Sequence, residues 1–134
     1  MKWLLGFVFT ALLMTASPSY SQSLQGVWEL VEGEYINHEG KLIQYKDLGL
    51  KSTKIISGKH FSFVTMSGEK FWSSGSGTFR TDAKQYIENP IYNSFSSPKG
   101  KEYVFRYQVE NNIWLNSRWE NGVRVEFETW RRVN

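Results

Sequence analysis

The chain has 134 residues, 16 Lys and Arg against 13 Asp and Glu, no Cys, 40% hydrophobic residues and 16% aromatic ones, dimensions that suit one domain and exclude two. The lack of Cys rules out disulfide frameworks, thiolate zinc sites and Cys nucleophiles. A formal charge of +3 from scattered basic residues gives no nucleic-acid signature.

The first segment places Lys2 before an apolar run, Trp3 to Met14, and then a small polar tract, the layout of a secretory signal peptide. Ser19 and Ser21 suit a cut before Gln22, so residues 1–21 are expected to be removed and residues 22–134 to form the mature domain, secreted or periplasmic. The apolar run is short of the roughly 20 residues needed to span a bilayer, and no stable membrane insertion is expected after cleavage. Taking 21 residues from 134 leaves 113 and a nearly neutral surface. A chain of that size without disulfides is best served by a closed fold with no free sheet edge.

From Gln25 to Tyr35 a period near two predicts the first strand. Residues 36–51 have no sustained period, and read as a turn, a short extended piece from Leu42 to Tyr45, and a loop. Thr53–Ser57 and Phe61–Met66 flank Gly58 as a hairpin. A strand over residues 71–82 is interrupted by Gly75 and Gly77, which mark a bulge or a close backbone approach. Gln85–Tyr92 follows, with Pro90 removing a ladder donor and implying a bulge or an edge. Glu102–Glu110, Ile113–Trp119 and Val123–Val133 complete the set, divided by the turns Asn111-Asn112 and Glu120-Asn121-Gly122. The reading is all-β: an up-and-down antiparallel β-barrel of about eight to ten strands.

Gly26-Val27-Trp28 in the first strand and Glu128-Thr129-Trp130-Arg131-Arg132 in the last resemble the lipocalin and fatty-acid-binding group, the calycins. In that group a G-x-W opens the first strand and an Arg of the last strand covers the Trp ring where the barrel closes. The resemblance implies that Gly26, Trp28 and Arg132 form this closure, and a cation over an indole face contributes about 0.5 to 2 kcal/mol. Lys59-His60-Phe61-Ser62-Phe63, Gly75-Ser76-Gly77-Thr78-Phe79, Tyr86-Ile87-Glu88 with Tyr92, and the terminal Glu128, Trp130 and Arg132 are similar to a narrower set of small secreted bacterial lipocalin-like proteins of unknown function.

Alternation puts Tyr86, Glu88 and Tyr92 on one face of their strand, and Glu126, Glu128, Trp130 and Arg132 on one face of theirs. The opposite parity of the last strand would point Val123, Val125 and Phe127 inwards; the inward Glu-x-Trp-x-Arg is preferred because it agrees with the closure. The expected barrel interior is Phe63, Tyr86, Glu88, Tyr92, Arg106, Glu128 and Trp130. One reading makes it a solid plug, with Glu88 and Glu128 bonded to Arg106, Arg118 or Arg132. The other makes it a pocket in which an Arg fixes an anionic head group and aromatic rings cover an apolar body.

His38-Glu39 lacks a second His at ligand spacing and His60 stands alone, so no metal site is expected. Ser74, Ser76 and Ser94 have no His at a recognisable spacing. No catalytic residue and no cofactor is expected. The sequence suggests a non-catalytic protein that binds a small lipophilic or amphipathic ligand in the barrel. The alternative is a glycan- or protein-binding module with a filled interior that acts through its surface.

Overall fold

The computed structural model describes residues 23–134; the expected signal peptide and its cut before Gln22 lie outside the described residues. Nine strands follow one another: β1 Gly26–Ile36, β2 Leu42–Gln44, β3 Leu50–Ser57, β4 His60–Ser67, β5 Lys70–Thr81, β6 Gln85–Asn93, β7 Tyr103–Glu110, β8 Ile113–Glu120 and β9 Val123–Arg132. A 3₁₀ turn, Tyr45–Leu48, lies between β2 and β3. All strands except β2 form a closed antiparallel barrel in up-and-down order, sealed by β1 against β9 from Trp28↔Arg132 to Tyr35↔Glu126. The lower half of β1 pairs with β3 and its upper half with the short β2.

Local sequence explains the closure. Tight hairpins join neighbours, and the Asn111-Asn112 turn has both residues at positive φ, 51° and 61°, where Asn is tolerated and the backbone twist matches that of the strands. Bulges at Val31 in β1, at Ile91 in β6 and at Val125 in β9 add one residue each to one strand of a pair, which bends the sheet towards closure. At Gly77, opposite the β6 bulge, a Cβ would lie 2.1 Å from the Asn89 carbonyl oxygen, so the close approach read from the sequence is a backbone contact.

The two halves of the barrel differ. The end holding residues 23–26 and 132–134 is filled by Leu24, Trp28, Ile56, Phe61, Tyr86 and Trp114. Trp28 and Trp114 meet edge to face at 5.4 Å, as do Tyr86 and Trp114 at 4.9 Å; each buried ring contributes about 1.5–3 kcal/mol through burial. The Trp28 indole N–H donates to the Leu24 carbonyl at 2.7 Å. Arg132 lies 4.2 Å above the Trp28 ring and also donates to the Gln25 and Ser23 carbonyls and to Asn112. One guanidinium thus ties the last strand to the start of the first.

The seam between β6 and β7 is short. It runs only from Gln85↔Arg106 to Glu88↔Tyr103, and the rest of β6 pairs with β5 alone. The loop of residues 94–102 covers the difference. Asn93 Oδ1 accepts from the backbone N–H of Phe95 and Ser97, and the Tyr103 hydroxyl donates to Ser97 Oγ at 2.9 Å.

Candidate functional site

Above the packed end the interior opens into a cavity of about 390 Å³. Aromatic and aliphatic side chains make much of its wall, among them Leu30, Phe63, Trp72, Phe95, Tyr103 and Trp130. Five charged side chains also line it: Lys54, Arg118, Glu88, Glu126 and Glu128. Period-two alternation explains most of these placements. In β3, Ser52, Lys54 and Ile56 point inwards and Lys51, Thr53 and Ile55 outwards; in β9, Glu126, Glu128 and Trp130 share the inward face.

Lys54 is the deepest charge. Its ammonium lies 3.0 Å from Glu88 Oε1, with side-chain exposures of 5% and 8%, and the Tyr86 hydroxyl donates to the same carboxylate oxygen at 2.8 Å. The ammonium also sits 4.9–5.8 Å from the ring centroids of Trp130, Trp114, Tyr86 and Phe63, each ring presenting electron density to the cation. Burial alone lowers the Lys54 pKa, but Glu88, Glu128 and Glu126 together overcome it and hold the pKa above its ordinary value. Lys54 is therefore held as a cation. Burial, then the Glu88 charge, pushes the Tyr86 phenol well up.

A second cluster lies nearer the mouth. Glu128 accepts from the Tyr45 hydroxyl at 3.1 Å and from the Trp130 indole N–H at 2.8 Å. Tyr45 comes from the 3₁₀ turn and crosses Gly33 of β1, where a Cβ would lie 2.3 Å from its ring; a side chain there would displace the turn. Glu126 accepts from Arg118 Nε at 3.0 Å, and Arg118 also bonds Glu120 at 2.5 Å. Burial, and next the Glu128 charge, outweigh Arg118 and push the Glu126 carboxyl up to about 7. Burial and the same carboxylates raise the Tyr45 phenol.

Of the residues expected inside, Phe63, Glu88, Glu128 and Trp130 line the cavity and Tyr86 lies in the packed layer beneath it. Tyr92 does not belong to this set. The bulge at Ile91 inverts the parity of β6 beyond Pro90 and leaves Tyr92 76% exposed. Arg106 is also on the outer face, because Phe105 and Tyr107 point inwards on β7 and Arg106 between them stacks on Trp119 at 4.5 Å. The Trp28 and Arg132 contact is at the filled end, so neither residue faces the cavity.

Lys54, Tyr45, Arg118 and Glu126 complete the site. The alternation of Ser52, Lys54 and Ile56 was the signal for Lys54, since a strand that buries Ile56 must turn Lys54 the same way. Tyr45 had none, because its segment has no period. Among the described residues no group of His, Asp and Glu side chains is placed to hold a metal ion. The arrangement offers carboxylate acceptors, engaged cations and ring faces.

A family model described as a domain of unknown function, DUF4488, matches residues 23–134. No curated protein and no solved structure matches the chain.

Proposed function

We propose, for a chain that belongs to the DUF4488 family, that the barrel binds a small amphipathic molecule in its open half without acting on it chemically. The cavity of about 390 Å³ between the packed end and the mouth carries this reading; it falls within the roughly 300–1,000 Å³ range of ligand pockets, with apolar walls and a few convergent polar groups. A lipocalin-like relationship accords with the closed barrel and with the Arg132 cover on Trp28. Export through a cleaved leader is part of the same proposal, supported by the composition of residues 2–21.

The surface-acting alternative has less support. The half-exposed Trp119 already has Arg106 over its ring, so a sugar would have to displace that guanidinium to stack there. Native mass spectrometry of the protein recovered from its expressing cell tests the cavity reading. Retention of a small lipophilic molecule, lost when Thr65→Phe narrows the cavity, is the expected result; protein that is repeatedly empty, and that binds no small amphiphile when challenged, counts against it. The intact mass in the same spectrum tests removal of the leader.

A further inference from the structure

We propose that the ligand of this cavity carries a protonated amine, seated against Glu126 and Glu128 with its apolar body along the aromatic wall. The inference rests on the cavity-binding reading above and gives it a ligand class.

Charge balance is the first argument. Among the described residues the cavity lining has three carboxylates, Glu88, Glu126 and Glu128, against two cations, Lys54 and Arg118. Both cations already hold carboxylates: Lys54 binds Glu88 at 3.0 Å, and Arg118 binds Glu126 at 3.0 Å and Glu120 at 2.5 Å. A ligand carboxylate would add a further anion to a poorly solvated space and compete for occupied donors. With Glu126 deprotonated the lining carries one negative charge in excess, which a ligand ammonium would balance.

The second argument is the state of the acids themselves. Glu128 accepts from two neutral donors, the Tyr45 hydroxyl and the Trp130 indole, and it acts on both Lys54 and Glu126. Glu126 retains part of its proton near neutrality because Arg118 does not offset burial and Glu128.

The third argument is the wall. Four rings already surround the Lys54 ammonium within 6 Å, which shows that this interior stabilises an alkylammonium. Tyr35, Tyr45 and Tyr103 present further rings on the cavity side towards the mouth.

A matched series of decan-1-amine, decan-1-ol and decanoate, used below their aggregation concentrations, separates the possibilities. Binding is read at pH 7.5 by calorimetry and by fluorescence of Trp72 and Trp130, which line the cavity. The amine is expected to bind at least tenfold more tightly than decanoate and more tightly than the alcohol. Glu126→Gln is expected to reduce the amine's advantage over the alcohol to under threefold.

The wild-type protein gives an independent check through pH. Glu126 is faced by Arg118 across β8, by Glu128 on its own strand, by Tyr35 across β1 and by Tyr45 from the 3₁₀ turn, with Lys54 from β3 and Glu88 from β6 lining the same cavity. Of these, Glu126 is the group raised to about 7. The ratio of amine to alcohol affinity should therefore rise several-fold from pH 6 to pH 8, and amine binding at pH 7 should release protons. Decanoate binding equal to or tighter than amine binding, or a flat ratio across that range, overturns the amine assignment while leaving cavity binding intact. If none of the three binds, the cavity reading falls and the amine assignment falls with it.

Discussion

Single residues hold this barrel in two chemically distinct ways. Trp28 is fully buried, bonded through its indole N–H and capped by Arg132, so Trp28→Ala should cost about 3–5 kcal/mol. That is a large share of the stability of so small a domain, and an unchanged melting temperature would refute its anchoring role. Lys54 is held by charge. Lys54→Met leaves Glu88 buried without its 3.0 Å partner and should cost about 3 kcal/mol at neutral pH. Pairing it with Glu88→Leu should restore much of that loss, and a double-mutant cycle in denaturant measures the recovery. The sequence revealed the first residue more readily than the second. A Trp in a G-x-W at a strand start is conspicuous, whereas a Lys in a strand reads as solvated until its alternation with Ile56 is taken literally.

At the level of elements, periodicity made the eight barrel strands legible to within a few residues at their ends, because one face of each strand is buried and the other is not. It failed where the period breaks. The extra residue at Ile91 turned Tyr92 outwards although Tyr86 and Glu88 point in, and Pro90 marked the place of that break without giving its consequence. Arg106 was misplaced for a different reason: its own strand alternates cleanly, and counting from Phe105 would have put it outside. The 3₁₀ turn of residues 45–48 was hidden, since its role comes from one long-range contact, Tyr45 to Glu128. That contact needs the bare backbone of Gly33. Gly33→Ala should push the Tyr45 ring away and lower stability by about 1–2 kcal/mol; hydrogen exchange should then quicken in residues 42–49 and stay unchanged at the Trp28 end.

For the whole molecule, the raised Glu126 carboxyl predicts how stability depends on pH. A carboxyl whose folded pKa is about 7 against 4.5 for an ordinary one favours the folded state while protonated, so its contribution is complete below about pH 4.5 and is lost as pH rises through 7. Glu126→Gln should therefore raise the melting temperature by about 4 °C at pH 8 and leave it nearly unchanged at pH 4.5. Thermal scans across that range check the sign, and a variant that is less stable at pH 8 would show that the bond to Arg118 dominates instead. The same molecule is divided by height, with packed rings at one end and the charged cavity at the other.

The short β6–β7 seam carries a consequence for diversification. Because residues 89–93 lean on β5 alone and the loop of residues 94–102 closes the remaining gap, that loop can be lengthened, shortened or exchanged without shifting the register of any other strand pair. Phe95, which it carries against Phe63 and Tyr103, travels with it. Evolution or an engineer could therefore reshape this side of the cavity by rewriting a single interchangeable panel, while the frame that keeps the protein folded is inherited untouched.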